Sequence, residues 1–380
     1  MRVVDKSELM SLVAAGLPGQ YRPWQVVWDL TYACQLRCTH CYQMNLDWNI
    51  KRQLPTERIL ETLDEMRDLG TQELLFSGGD PFIVRDFMTF VERAGAHGFE
   101  VVIYSSGQGI TDHVAQRLAQ CGVSWVELTL MGADAETHDT VTQRRGSFVK
   151  LLDAVRALSG AGVATVGKTV VTKQNLHQVP TLMEMCRELG IKFKCDAHMW
   201  RPWNGSEAQI SDLKLDRAGM QEFYRLYRQP GPQDRSCAMG VAMCNAGRSR
   251  AGITPFGQVN PCTTYGQGMV IGDLHEQTFT EIWLNSPMLR RYREMTSKSY
   301  PKCDACEMSA FCDWCPGLSS WAGNDYTEPY AELCDDTEIK KELWEEGTGK
   351  HWVPAPVVNG EPVLIPTIMR RPGLDPANQG

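Results

Sequence analysis

Apolar residues in the first two hundred positions form two alternating patterns. Short continuous apolar runs of strand type recur six times. Each run is separated from the next by a segment whose apolar residues are spaced three or four apart, as in an amphipathic helix. The pattern therefore predicts six β-strands with five helices between them. The predicted strands are residues 26–30, 73–77, 99–105, 123–130, 163–171 and 191–197.

The segment between the first two strands shows the helical signal. Residues 55–69 place Ile59, Leu63 and Met66 on one face, and Gly70 follows where the helix ends. Five such helices predict successive right-handed βαβ crossovers and a parallel sheet. We favour a curved, partly open barrel, with a flat doubly wound sheet as the alternative. In both folds, ligands bind beyond the carboxyl ends of the strands.

Composition and charge narrow the class of protein. The chain has 380 residues, which corresponds to two or three domains at roughly 150 residues each. The 38 basic and 46 acidic residues give a formal charge of -8, so we expect no nucleic-acid partner. No apolar run approaches the ~20 residues of a membrane helix, and the N-terminus does not resemble a signal peptide. We therefore expect a cytoplasmic protein that does not contact a membrane.

Cysteine is the unusual residue of this chain. There are 14 cysteines, and without a signal peptide metal or redox chemistry outranks disulfide formation. Three lie within residues 34–41 and eight within residues 237–334, which indicates one metal site in an N-terminal domain and more than one in a C-terminal domain. The predicted division is an N-terminal extension over 1–23, a barrel domain over 24–205, a bridging region over 206–235, a second cysteine-rich domain over 236–340, and a hairpin and tail over 341–380.

The first cysteine group follows the first predicted strand directly. Cys34, Cys38 and Cys41 place three thiolates within eight residues, so one short loop can surround a single cube of iron and sulfide. Four-iron clusters normally have four thiolate ligands. A set of three leaves one iron open to another ligand, in the way that a catalytic zinc keeps an open position.

The segment TYACQLRCTHCYQ, residues 31–43, resembles the cluster-binding loop of the radical S-adenosylmethionine (radical SAM) superfamily. The resemblance implies a partial (β/α)6 barrel in which the open iron binds the amine and carboxylate of SAM. Electron transfer from an external donor, a flavodoxin or ferredoxin, then splits the sulfonium. The resulting 5′-deoxyadenosyl radical abstracts hydrogen from the substrate, while the protein supplies placement and excludes water.

A second motif follows the second predicted strand. Ser77-Gly78-Gly79-Asp80-Pro81 resembles the GGE motif that meets the SAM amine in this family, with Asp80 in place of glutamate. Glycines allow close approach of the backbone to the ligand, and a carboxylate suits an ammonium group. A simple turn is the alternative interpretation of this motif. Ser105, Thr129 and Arg144 match the family less closely, and an ordinary role in a loop is the alternative for each of them. The candidate SAM-binding residues implied by the resemblance are Ser77, Gly78, Gly79, Asp80, Ser105, Thr129 and Arg144.

In the C-terminal part, Cys244 and Cys262 are followed by Cys303-x2-Cys306-x5-Cys312-x2-Cys315 and then by Cys334. This pattern resembles the SPASM domain, a small cysteine-rich α+β extension of many radical SAM enzymes that holds two auxiliary four-iron clusters. The resemblance implies three four-iron clusters in all, and eight auxiliary ligands would leave no auxiliary iron open to substrate. The alternative is a zinc site made of Cys303, Cys306, Cys312 and Cys315. The implied ligand sets are Cys244, Cys262 and Cys315 with Cys237 as a fourth ligand, and Cys303, Cys306, Cys312 and Cys334.

Other residues remain open to two interpretations. The scattered cysteines Cys121, Cys186 and Cys195 are expected to pack in the core. The sequence identifies no catalytic acid or base. The residues that follow the last predicted strand either line a substrate opening or pack between the domains, and these are Asp196, His198, Trp200, Arg201 and Trp203.

The resemblance implies an enzyme that modifies a ribosomally made peptide or protein by carbon–carbon, thioether or related bond formation. Only about 24 residues precede the first strand, so we expect leader recognition, where it is needed, to come from a separate protein. One alternative is a radical SAM enzyme that acts on a small molecule such as a tetrapyrrole or sugar. The other is an iron–sulfur electron carrier without SAM chemistry.

Overall fold

The computed structural model describes residues 21–43, 53–202, 208–227, 230–232, 244–352, 357–358 and 361–362. Nine strands of these residues form one sheet in the order β6-β5-β4-β3-β2-β1-β7-β8-β9. The strands are β1 (Gln25–Thr31), β2 (Glu73–Gly78), β3 (Glu100–Ser105), β4 (Trp125–Thr129), β5 (Thr165–Val170), β6 (Lys192–Asp196), β7 (Arg250–Ile253), β8 (Gln258–Asn260) and β9 (Gly272–Asp273).

The strand order decides between the two predicted folds. Strands β1 to β6 pair in parallel with their neighbours in chain order. A doubly wound sheet reverses its order at a switch point, whereas this order continues in one direction, so right-handed crossovers place the helices on one side. The partial barrel is therefore confirmed, and all six predicted strands are present with their ends shifted by up to two residues.

Thirteen α-helices are found in the described residues. The first six cover the outer surface of the barrel, the next two lie in the bridging region, and the last five belong to the C-terminal part. They are α1 (Thr56–Asp68), α2 (Phe87–Ala96), α3 (Asp112–Gln120), α4 (Ala135–Thr142), α5 (Ser147–Gly160), α6 (Val179–Glu188), α7 (Ala208–Ser211), α8 (Arg217–Tyr227), α9 (Phe279–Asn285), α10 (Pro287–Glu294), α11 (Pro301–Asp304), α12 (Pro316–Trp321) and α13 (Ala331–Thr348). None is long and apolar enough to cross a bilayer.

The two faces of the sheet differ in polarity because successive strand residues point to opposite sides. The outer face carries the apolar core, in which Trp28 and Phe76 are buried among helix residues such as Leu63 and Phe90. The inner face encloses the barrel lumen and is largely polar. Its residues include Asp29, Ser77, Tyr104, Glu127, Thr129, Lys168 and Lys194, which share register positions across the strands.

The C-terminal part is continuous with the barrel. Strand β7 pairs in parallel with β1 and extends the sheet through the antiparallel strands β8 and β9. The sequence places residues 236–340 in a domain of their own, but this domain adds strands to the barrel sheet, and α13 runs across residue 340. Beyond it, β10 (Val357–Val358) and β11 (Glu361–Pro362) form an antiparallel pair at the predicted hairpin. Periodicity missed α4, which has few apolar residues and begins at the Asp134 cap.

Candidate active site

The first cysteine loop lies at the carboxyl end of β1 and is held from outside by α4. The backbone amide of Arg37 donates to the carbonyl of Thr142 at 3.1 Å, and that of Thr39 donates to Val141 at 2.9 Å. The Arg144 guanidinium donates to the carbonyl of Gln35 at 2.9 Å. The helix that periodicity missed therefore positions the loop.

The three thiols of this loop share one partly buried region. Burial, with added repulsion from Asp80 and Cys41, raises the pKa of the Cys34 thiol to about 11. Burial also raises the pKa of Cys38, with added repulsion from Cys41 and Cys34. Three thiolates close together in a buried place are unfavourable unless a cation compensates their charge. The donor set therefore suits a metal cluster.

The Ser-Gly-Gly-Asp turn is joined to the cysteine loop through its backbone. The amide of Gly79 donates to the carbonyl of Thr31 at 2.7 Å, and that of Asp80 donates to Ala33 at 2.9 Å. A Cβ on Gly78 would lie 2.1 Å from the Thr31 oxygen, and Gly78 has a φ of 126° that favours glycine. The sequence explains these glycines by approach to a ligand, but the structure shows that they allow close approach to residues 31–33.

Asp80 is fully buried, and its carboxylate accepts hydrogen bonds from the chain itself. The donors are the Phe82 amide at 3.1 Å, the Ser106 amide at 3.0 Å, and the hydroxyls of Ser105 and Ser106. These bonds use most of the acceptor capacity of a carboxylate. Asp80 and Ser105 therefore join the ends of β2 and β3, and a contact of Asp80 with the SAM amine stays a prediction.

The other candidate SAM residues lie around the same opening. Ser77 pairs in register with Asp29, and Thr129 at the end of β4 pairs with Lys168 on β5. The Arg144 guanidinium contacts the cysteine loop, where it donates a hydrogen bond to the carbonyl of Gln35. The structure thus brings the predicted residues to one end of the barrel, and their binding of SAM stays a prediction.

The C-terminal cysteines form two groups in space. The thiols of Cys244, Cys262 and Cys315 lie close enough to repel one another when ionised. The structure brings together the two sets that the resemblance implies, while Cys237 lies outside the described residues. A separate region holds Cys303, Cys306, Cys312 and Cys334.

The spatial grouping bears on the kind of metal. A zinc site made of Cys303, Cys306, Cys312 and Cys315 is not supported, because Cys315 lies with Cys244 and Cys262 instead. All cysteines in the described part of the chain are free thiols. Nowhere in that part do three or more His, Cys, Asp or Glu side chains converge on a single ion. Groups of three or four thiols suit iron–sulfur clusters, whose usual protein ligands are thiolates.

The auxiliary group around Cys244 contacts a buried set of tyrosines. The Tyr292 hydroxyl donates to the Cys244 thiol and accepts a hydrogen bond from Tyr265 at 2.6 Å. Hydrogen bonds to cluster sulfurs are among the means by which a protein sets a reduction potential. These tyrosines are absent from the residues predicted from sequence, because their spacing is that of ordinary core residues.

The lumen contains a carboxyl group that the sequence analysis also missed. Asp29 on β1 is buried, and burial raises its pKa to about 7, an effect that its hydrogen bond to the Ser77 hydroxyl partly opposes. Strongly shifted pKa values concentrate at functional sites. An acidic residue in an otherwise apolar strand, VVWDL, was the available signal.

Residues after β6 connect the barrel to the C-terminal part. The rings of Tyr42, Trp200 and Trp321 contact one another with centroids 5.0 to 5.5 Å apart, and the Trp321 indole donates to the Arg201 carbonyl at 2.7 Å. Of the two interpretations left open, inter-domain packing therefore holds for Trp200 and Arg201. Trp203 lies outside the described residues.

A buried ionic network makes a second connection between the two parts. His198 lies between Asp196, at 2.9 Å, and Asp336 of α13, at 3.4 Å. Asp336 also accepts from the Tyr224 hydroxyl at 2.6 Å and pairs with Lys340 at 2.5 Å. Hydrogen bonds and attraction to the two carboxylates outweigh burial and raise the pKa of His198 to about 10. His198 is therefore a cation at neutral pH.

Comparisons with known proteins agree with this geometry. The family profile described as the Radical SAM superfamily matches residues 28–186, and the one described as SPASM, an iron-sulfur cluster-binding domain, matches residues 244–307. The mycofactocin maturase MftC of Mycobacterium ulcerans is 30% identical over 317 residues, which cover 78% of this chain and 82% of that protein.

Two further proteins extend the comparison. The AdoMet-dependent heme synthase of Methanosarcina barkeri is 25% identical over 344 residues, covering 81% of this chain and 96% of that protein. The crystal structure of Streptococcus suis SuiB bound to the precursor peptide SuiA superposes with a TM-score of 0.61 at 17% identity. The alignment covers 78% of this chain and 72% of SuiB, and it shows a shared fold.

Proposed function

We propose that this chain, which belongs to the radical SAM superfamily and is an enzyme with a C-terminal SPASM domain, modifies a ribosomally made peptide or protein. The observation that carries the peptide substrate is the 30% identity, over most of both chains, to a maturase. The fold shared with SuiB, whose structure holds a precursor peptide, supports it.

We assign the binding roles by the spatial groups of thiols. Cys34, Cys38 and Cys41 hold the first four-iron cluster at the carboxyl end of β1, and α4 keeps their loop in place. Reductive cleavage of SAM to a 5′-deoxyadenosyl radical is the chemistry that this cluster supplies when bound. The two C-terminal groups hold two auxiliary clusters, with Cys237 as a fourth ligand beside Cys244, which makes three clusters in all.

The chain itself contributes placement and exclusion of water. The turn at Gly79 and the cysteine loop form one unit through two backbone hydrogen bonds, so the SAM site and the cluster site move together. The polar lumen, with Thr129 at its opening, receives the part of the substrate that reacts. We further propose that a flavodoxin or ferredoxin delivers electrons and that a separate protein recognises a leader peptide.

The first experiment tests the clusters and the division of labour. After anaerobic reconstitution, we expect about twelve irons per chain from three four-iron clusters, and 5′-deoxyadenosine after reduction with SAM. The variant with Cys34, Cys38 and Cys41 changed to alanine should lose SAM cleavage and keep the auxiliary absorbance. About four irons per chain would contradict the auxiliary clusters, and surviving cleavage would contradict the role of the first group.

A second experiment tests the substrate class. Small molecules and peptides from cells grown in deuterated water are offered to the reduced enzyme with SAM, and deuterium in 5′-deoxyadenosine reports hydrogen abstraction. If the substrate is a peptide, protease treatment of the extract should abolish the deuterium transfer. Transfer that survives protease would contradict the peptide proposal.

A tetrapyrrole is the second candidate substrate, because the heme synthase is similar over 96% of its own length. An iron-bearing tetrapyrrole carboxylate offered alone would then yield a modified product and 5′-deoxyadenosine in equal amounts. Membership of an enzyme family sets aside the electron carrier without SAM chemistry.

A further inference from the structure

The barrel lumen contains two lysines and one glutamate on neighbouring strands. The side chain of Glu127 on β4 is 6% exposed. Its oxygens lie 3.4 Å from the Lys194 ammonium of β6 and 3.8 Å from the Lys168 ammonium of β5. Two cations therefore face one anion, and this lumen cluster, made of Glu127, Lys168 and Lys194, has a formal charge of one positive.

The distances between the ammonium nitrogens and the Glu127 oxygens are too long for a short charge-assisted hydrogen bond to either lysine. Charge-assisted hydrogen bonds between an ammonium and a carboxylate are typically ~2.7–2.9 Å long, and each ammonium has three donors. The side chains of Lys168 and Lys194 are 35% and 53% exposed. By contrast, Lys340 in the buried network is 9% exposed and lies 2.5 Å from Asp336. The lumen lysines therefore differ from a structural ion pair of the same protein.

The other charged and polar groups near the lumen cluster have partners of their own. Asp196 is the next carboxylate, and it already binds the imidazole and backbone amide of His198 at 2.9 Å. The Lys168 ammonium lies 4.4 Å from the centroid of the Tyr104 ring, which gives a cation–π attraction but no negative charge. The Trp125 indole lies 3.4 Å from Glu127 and donates to that anion. Two ammonium groups therefore still face the single carboxylate of the lumen cluster.

The lumen cluster lies at the end of the barrel where we expect cofactor and substrate to bind. Lys168 pairs in register with Thr129, a candidate SAM residue, and with Lys194, so these three side chains share the inner face at the carboxyl end of the strands. In barrels of this kind, that end receives cofactor and substrate. A substrate group that enters the lumen beside the cofactor therefore comes close to the lumen cluster.

We propose, building on the function proposed above, that Lys168 and Lys194 bind a carboxylate group of the substrate. The carboxylate accepts the ammonium donors that Glu127 leaves free. Glu127 keeps both ammonium groups on the lumen side and limits the strength of binding. For a peptide substrate, the source is the C-terminal carboxylate or an acidic side chain.

The test measures binding to the SAM-loaded, anaerobically reconstituted enzyme by calorimetry or NMR titration. One pair of probes is N-acetylalanylalanine and its C-terminal amide, which differ only in the carboxylate. A second pair, succinate and succinamide, represents a small-molecule source. The variants are Lys168→Met with Lys194→Met, Lys194→Met alone, and Glu127→Gln. Lys341→Met is the matched control, because Lys341 also pairs with a glutamate, Glu345, at 3.2 Å but lies on α13.

We expect the acid to bind and the amide not to bind. The double variant should lower the affinity for the acid at least tenfold, and Lys341→Met should not change it. Glu127→Gln should raise the affinity at least threefold, because it removes a competing anion. A purely structural role of the three residues predicts the opposite result for Glu127→Gln, since loss of the pair would loosen the lumen.

Several outcomes overturn the proposal. These are equal binding of acid and amide, no saturable binding of either carboxylate, unchanged affinity in the double variant, and weaker binding in Glu127→Gln. Should the double variant fail to bind SAM, Lys194→Met and Glu127→Gln decide the question. Binding of succinate without the dipeptide would uphold the carboxylate site and contradict the peptide substrate, so the two proposals fail separately.

Discussion

Replacement of Gly79 by alanine tests whether the turn after β2 and the cysteine loop act as one unit. A Cβ at this position would lie 2.1 Å from the carbonyl oxygen of Ala33 and 2.7 Å from that of Tyr32. Both are backbone atoms, so no side chain can rotate away. Restoring an ordinary contact of 3.4 Å requires a displacement of about 1.3 Å between the turn and residues 31–33.

That displacement breaks the two hydrogen bonds that join the segments, from Gly79 to Thr31 and from Asp80 to Ala33. Each bond contributes about 1 kcal/mol net, and each buried group left unpaired costs about 1–3 kcal/mol. Cys34 follows Ala33 directly, so the first ligand moves with the strand end. Misplacement of a reacting group by about 1 Å can lower a rate by about a hundredfold.

The assay compares iron content and the initial rate of 5′-deoxyadenosine formation in reconstituted wild type and Gly79→Ala. We expect SAM cleavage to fall by about a hundredfold while the auxiliary absorbance is retained. Gly160→Ala at the end of α5 is the control, because a Cβ there has no heavy atom within 4 Å. Cleavage by Gly79→Ala within about threefold of wild type, at full iron content, would refute the reasoning.

Three further variants test the lumen, the link between domains, and the cysteine assignment. Burial in the folded state raises the pKa of Asp29 to about 7, so between about pH 4 and pH 7 the folded protein holds a proton that the unfolded chain releases. The free energy of unfolding should therefore fall as the pH rises through this range. Asp29→Asn should remove this loss of stability, which is at most roughly 4 kcal/mol. The free energy of unfolding is measured by denaturation at several pH values, and the same dependence on pH in wild type and variant would contradict the prediction. Asp336→Asn should destabilise the protein by about 3 kcal/mol in thermal unfolding because it leaves buried cations with less compensation, and an unchanged Tm would exclude this role. Cys186→Ala should keep the full iron content and Cys244→Ala should lower it, so equal iron in the two would contradict the assignment.

Much of the site was predictable because its signals are local. The spacing of Cys34, Cys38 and Cys41 directly after a strand, and of Gly78 and Gly79 after the next, places both motifs at one end of a parallel sheet. In the described part of the chain, the C-terminal thiols also divide into the two ligand sets that the resemblance implies. Cys186 and Cys195 are buried in the core, as free cysteines with apolar neighbours are expected to be.

The elements that sequence reasoning missed lack a local signal. Helix α4 holds the cysteine loop through Val141 and Thr142, yet it has too few apolar residues for periodicity to mark it. The lumen residues Glu127, Lys168 and Lys194 lie on three different strands, and no motif along the chain links them. Only the pairing of β4, β5 and β6 places them side by side.

The sequence by itself determined the barrel strands, the first thiol group and the glycine turn, because these depend on spacing along a few consecutive residues. The tertiary structure decided that the sheet curves in one direction, that β7 continues it, and that charges from separate strands meet in the lumen. Contacts between distant residues depend on strand order and register, which the order of residues along the chain does not encode locally.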